Sequence, residues 1–174
     1  VGALYGLADW PLEALALAAH VRYLQKVCWK SWITISLPRM RPHAGHFDPP
    51  SPIPDRELVQ LTAALRICFP DAGLVLSTRE RAELRDVLMQ CGITMMSAGS
   101  HTEPGGYTGV ARDTAPPAQP GCPTIMKATG SPCSTQASGQ FEIADSRSPG
   151  EIARQLQRYG YEPVWKDWEA ALTT

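Results

Sequence analysis

Gly2, Gly6 and Asp9 stand in the stretch Gly2-Ala3-Leu4-Tyr5-Gly6-Leu7-Ala8-Asp9, where two glycines and an acid close a short apolar run. Glycines at such a place let backbone approach a flat ligand closely, and the acid can accept hydrogen bonds or cap the helix that follows. The same residues also fit a plain strand-to-helix turn with Asp9 as its cap. His43, His46 and Asp48 imitate a metal-ligand spacing on a Pro-rich loop, but a site needs a further convergent ligand and a supporting shell, and no metal is expected there. The five cysteines, Cys28, Cys68, Cys91, Cys122 and Cys133, are odd in number and widely spaced. They read as free thiols of a reducing compartment, and the chain as cytoplasmic.

These residues need elements to position them, and the first part of the chain repeats one theme: short apolar strand, polar turn, amphipathic helix. Strands are expected at Val1 to Leu4, Trp32 to Leu37, Gly73 to Leu76 and Ile93 to Met96. The helix entered through Pro11 has Leu12, Leu15, Ala19, Tyr23 and Val27 at spacings of three and four, a stripe expected to pack on the sheet. A Pro-rich loop from Pro38 to Pro54 leads to Asp55, a candidate cap for a second helix with Leu58, Leu61, Leu65 and Cys68 on one face. Thr78 is a candidate cap for a third, with Leu84, Val87 and Leu88 as its stripe and Gly92 as its stop. Strands apolar on both faces that alternate with helices give the class α/β with a parallel sheet.

From Thr108 to Gly139 the composition turns to Pro, Gly, Ser, Thr and Ala without an apolar period, which reads as a flexible insertion. It divides the chain into 1–107, 108–139 and 140–174. Order is expected again from Gln140 to Ile143. Ser148, Pro149 and Glu151 form the S-x-x-E capping box of a last helix through Ile152 and Leu156, ended by Gly160 and followed by an extended Tyr161 to Trp165.

The chain has 174 residues, 44% of them hydrophobic, and sixteen basic against seventeen acidic side chains leave a net charge of -1. No basic face announces nucleic acid, and no apolar run approaches the roughly 20 residues that span a bilayer, so a small-molecule site is expected. In parallel α/β folds ligands lie at the C-terminal strand ends. Those ends read Ile35-Ser36-Leu37-Pro38-Arg39-Met40-Arg41-Pro42, Leu76-Ser77-Thr78-Arg79-Glu80, and Ser97-Ala98-Gly99-Ser100-His101-Thr102 running on to Tyr107.

The Gly2 to Asp9 segment is similar to the G-x-I-x-G-x-x-E segment on the fifth strand of radical S-adenosylmethionine (SAM) barrels, with Leu4 and Asp9 as departures at the isoleucine and glutamate positions. Together with the other strand ends and the closing Tyr161-Glu162-Pro163-Val164-Trp165-Lys166-Asp167-Trp168, it resembles the 2-iminoacetate synthase family, along nearly the whole chain outside 108–139. The resemblance implies the C-terminal half of a (β/α)8-type radical SAM barrel with a C-terminal α/β extension. It implies a lyase in which a [4Fe-4S] cluster cleaves SAM, a 5'-deoxyadenosyl radical takes hydrogen from tyrosine, and the Cα–Cβ bond breaks. The products would be dehydroglycine (2-iminoacetate), passed to thiazole synthase for thiamine, and p-cresol, with flavodoxin or a ferredoxin-type protein as reductant.

On that resemblance Gly2, Leu4, Gly6, Asp9, Ser36 and Arg39 would face SAM. Arg79, Ser77, Ser97, Ser100 and Arg41 would face tyrosine, with the planar fork of Arg79 the first choice for its carboxylate. The alternative is that these arginines pair with Glu80, Asp48 or Asp55. No three cysteines have the C-x-x-x-C-x-x-C spacing of the cluster, whose ligands are expected upstream of Val1, so this fragment alone is expected to be inactive. Two alternatives are a hydrogenase-maturation tyrosine lyase, disfavoured by the lack of cysteine after Cys133, and a non-catalytic half-barrel binding module.

Overall fold

The computed structural model describes residues 1–40, 48–101 and 143–165. Arg41, His43, His46, Cys122, Cys133 and the expected insertion lie outside these residues. Along the described chain run α1 (Trp10–Val27), β1 (Thr34–Ser36), α2 (Asp55–Cys68), β2 (Gly73–Leu76), α3 (Ala82–Met89), β3 (Met95–Met96) and α4 (Pro149–Arg158). The three strands form one parallel sheet in the order β1-β2-β3, with helical crossovers between them.

The expected first strand is reduced to two parallel bridges, Gly2 with Ser36 and Tyr5 with Arg39. They continue the sheet beyond β1: Ser36 N–H donates to Val1 O (2.9 Å), Tyr5 N–H to Pro38 O (2.9 Å), and Met40 N–H to Tyr5 O (2.8 Å). Glycine is required at both Gly2 and Gly6 by the chain's own packing. A Cβ on Gly2 would lie 2.7 Å from Ser36 O, and one on Gly6, whose φ is +128°, would press on Pro49 Cβ at 3.1 Å and Met40 Cβ at 3.2 Å.

The helices cover one face of the sheet. Leu17 and Val21 of α1, Leu58, Leu61 and Leu65 of α2, and Leu84 and Leu88 of α3 meet Tyr5, Ile35, Leu74 and Leu76 in a single core. The expected α1 stripe is on the wrong side. Leu12, Leu15, Tyr23 and Val27 are 65%, 69%, 61% and 58% exposed, and the sheet instead takes Trp10, Ala14, Leu17, Ala18 and Val21. Both sets have helical spacing, and the one with Ala14 and Ala18 lets the helix axis come closer to the strands.

Smaller corrections have similar causes. Cys68 and Val87 are exposed, their places in the α2 and α3 faces being taken by Thr62, whose Oγ1 donates to Leu58 O (2.8 Å), and by Arg85. Asp55 is the first residue of α2 and Pro54 its cap, while α3 is capped by Arg81 and not by Thr78, which is buried. The capping box of α4 is present as expected, with Ser148 and Glu151 satisfying each other's backbone N–H.

Candidate functional site

Alternation along a strand and the parallel register decide which residues share a face. Gly2 bridges Ser36, Ser36 pairs with Val75, and Val75 with Met95. The row continues one step past the strands, because Ser97 N–H donates to Leu76 O (3.0 Å). Gly2 and Ser36 thus lie in one register row and Leu4, Ser77 and Ser97 in the next on the same face, at its C-terminal edge. It is the face the helices leave uncovered: Leu4 is 38% exposed, whereas Ile35 and Leu74 on the opposite face are fully buried. Ser36, Ser77, Ser97 and Ser100 are half-buried, a setting in which a hydroxyl can serve a ligand.

Arg79 follows Ser77 by a turn in which its backbone N–H donates to Ser77 Oγ (3.3 Å). It is half-buried. Burial pulls the pKa of its guanidinium down, and the negative charge of Glu80 opposes that shift. A partly desolvated guanidinium directly after a hydroxyl-bearing strand end is a suitable partner for a planar anion.

Arg39 belongs to the other face, as its bridge to Tyr5 requires. Its Nε donates to Glu80 Oε1 (3.0 Å), its Nη2 to Glu80 Oε2, and its Nη1 to Ile53 O (2.9 Å) and Asp55 Oδ1 (2.8 Å). Arg39 and Glu80 are both buried, and Arg81 reaches the second oxygen of Asp55 (2.5 Å). Burial lowers the pKa of Arg39, but its bonds to Glu80 and Asp55 outweigh that and raise it. The pairing weighed from sequence thus exists, buried between strand ends and α2 instead of on the surface.

Asp9 holds the N-cap position of α1 with its carboxylate exposed and making no capping bond. Helix capping therefore does not account for its side chain. Among the described residues no group of histidine, cysteine and acidic side chains could hold a metal ion, and no helix is long and apolar enough to cross a membrane. An apolar groove of about 630 Å³ lies between β3 and α4, and its described lining, Met89, Met95, Met96, Ile152, Leu156 and Trp165 among others, holds no cation.

One buried network escaped the sequence reading. Arg85, fully buried in α3, donates to Asp145 Oδ2 and to the carbonyl of Ser97. Asp145 also receives the backbone N–H of Arg147 (3.0 Å) and its guanidinium (2.7 Å). Burial pushes the Asp145 carboxyl up, yet the bonds from Arg147 and Arg85 hold it at about 2. The available signal was an arginine on an apolar helix face, at the spacing of Leu84 and Leu88. Its partner lies 60 residues away, beyond local pattern.

Three comparisons bear on what this arrangement belongs to. The chain is 36% identical over 173 residues to 2-iminoacetate synthase of Escherichia coli K12, and 35% to that of Salmonella typhimurium LT2, across 99% of this chain and 40% of each relative. It superposes with a TM-score of 0.70 and 33% identity on HydG, a maturase of the [FeFe]-hydrogenase, covering 92% of this chain and 30% of that one. HydG from Carboxydothermus hydrogenoformans gives the same score and identity, over 96% of this chain and 33% of that one. The chain spans about 40% of the length of the curated relatives it matches. Residues 36–162 match the model of the Biotin and Thiamin Synthesis associated domain, and on that match the chain belongs to this family.

Proposed function

We propose that this chain is the C-terminal part of a radical SAM carbon–carbon lyase of the 2-iminoacetate synthase type, which cleaves the Cα–Cβ bond of tyrosine to dehydroglycine and p-cresol for the thiazole of thiamine. The observation that carries the reading is the register that sets Ser36, and one row further Ser77 and Ser97, on one uncovered face at the strand end that leads to Arg79. In the longer protein the parallel strands would form the second half of a (β/α)8-type barrel, with this edge at its mouth.

The residues of the chain fit SAM but not the cluster. Gly2 bridges Ser36, Leu4, Gly6 and Asp9 follow it along the same segment, and the carboxylate of Asp9, exposed and without a capping bond, can accept hydrogen bonds from a ribose. Arg39 would serve that side by holding its own strand end through Glu80 and Asp55. Cluster ligands would come from a part of the protein outside this chain, so the chain by itself is inactive. SAM, when bound and cleaved, supplies the hydrogen-abstracting radical.

The work of these residues is to bind and orient tyrosine and to keep other hydrogen donors away. Arg79 would take the substrate carboxylate in its fork, Ser77, Ser97 and Ser100 would complete the polar wall, and Arg41 would be a further substrate contact. Burial, which lowers the pKa of Arg79, makes pairing with an anion more favourable there than in open water. Thiazole synthase would take the dehydroglycine, and a flavodoxin or ferredoxin-type protein would reduce the cluster. The likeness to HydG favours, as a second reading, a tyrosine lyase serving hydrogenase maturation.

Anaerobic incubation of the full-length protein with reductant, SAM and L-tyrosine tests the reading. p-Cresol and dehydroglycine should form together, and thiazole synthase should consume the dehydroglycine. Tyrosine left intact while SAM is cleaved would refute it.

A further inference from the structure

The buried network around Arg85 does more than join α3 to the segment before α4. Its guanidinium binds the carbonyl of Ser97, at the end of β3, and the carboxylate of Asp145. The backbone N–H groups of Ala144 and Asp145 both donate to the carbonyl of Thr78 (3.1 and 3.2 Å), and Gly99 N–H donates to Arg147 O (3.3 Å). One side chain therefore fixes three backbone groups around the proposed substrate edge: Ser97 directly, and Thr78 and Gly99 through the 144–147 segment.

The direction of the Ser97 bond matters. Ser97 lies two residues past Met95 and so, by alternation, shares the open face with Ser77, while Arg85 holds its carbonyl from α3. Thr78 stands between Ser77 and Arg79, so its carbonyl bonds fix the turn that carries both. Burying a guanidinium and a carboxylate is costly, and an apolar plug of similar volume could hold α3 to the sheet as well or better. What an apolar plug cannot supply is directed hydrogen bonds to backbone carbonyls.

We propose that Arg85 is a positioning residue: acting through Asp145 and the Ser97 carbonyl, it sets Ser97 and the Ser77–Arg79 turn in the geometry that receives the substrate carboxylate. This rests on the tyrosine reading above.

The test is anaerobic equilibrium binding of L-tyrosine and of SAM, measured separately on the full-length protein, its Arg85→Lys and Asp145→Asn variants, and Arg66→Gln. Arg66→Gln removes guanidinium bonds to the carbonyls of Gly92 and Ala72, before the starts of the strands and outside this network, and so reports on loss of stability alone. Arg85→Lys keeps the charge but loses the fork and should raise the tyrosine Kd about tenfold, the scale of a charge-assisted hydrogen bond, with SAM affinity unchanged. Asp145→Asn should show the same split, and it decides the matter if Arg85→Lys does not fold. Arg66→Gln should lower Tm while leaving tyrosine affinity near the parent's. Variants that lose Tm but bind tyrosine normally, or that lose both ligands equally, would overturn the inference alone. A parent protein that binds SAM but no tyrosine would remove the reading and the inference together.

Discussion

Arg39 and Arg79 each lie three residues past the end of a strand, and the face on which that strand ends decides the use of the guanidinium. Arg39 lies in the row of Tyr5 and Ile35 and enters the helix layer, where Glu80 and Asp55 meet it. Removing one partner of a buried pair leaves the other charge unpaired, so Glu80→Gln or Arg39→Ala should destabilise the protein by roughly 3 to 5 kcal/mol in denaturant titrations. The double change Arg39→Met with Glu80→Leu should recover most of that loss. Equal losses for the single and double variants would show that packing, not charge pairing, holds this corner. Sequence named Glu80 and Asp55 as possible partners of these arginines but could not choose among them, because the choice depends on which face each residue enters. Arg85 and Asp145 were beyond it altogether, since nothing local marks an ion pair across 60 positions.

Among the elements, the segment from Asp145 to α4 depends on charge more than on apolar contact. The Asp145 carboxyl is held at about 2, against an ordinary 3.8. Its folded pKa is depressed, so the stabilisation is complete above pH 4 and is lost as pH falls from about 4 to about 2. The shift corresponds to about 2 kcal/mol. Thermal unfolding followed between pH 7 and pH 2 should show this acid-side loss, and Asp145→Asn should flatten it while lowering stability at pH 7. Strand and helix existence was legible from apolar runs and period, down to the bounds of β2 and the capping box of α4. The buried face of α1 was not, because Leu12, Leu15, Tyr23 and Val27 share the helical period with the smaller set that the sheet selects. Nor was the shortness of the first and last strands, which depends on neighbouring backbone and not on side-chain type.

For the molecule as a whole, those four side chains leave one flank of α1 apolar and open, with Trp29 and Trp32 also exposed, at 74% and 66%. Apolar area of this kind drives association when it is left in water. The 174-residue chain expressed by itself should self-associate in sedimentation velocity, and a monodisperse, cooperatively melting monomer would contradict that expectation. The candidate site was legible to the extent that parallel α/β folds place ligands at their strand ends. Its polarity row was not, because register is a relation between strands.

The central claim is that Arg79, just past Ser77 on the face shared with Ser36 and Ser97, holds the carboxylate of an amino acid. Equilibrium binding of L-tyrosine and SAM to full-length Arg79→Ala tests it most directly. Tyrosine affinity should fall by roughly 3 to 5 kcal/mol, with SAM affinity close to the parent's. Equal losses for both ligands would assign Arg79 to the cofactor, and unchanged tyrosine affinity would contradict the account.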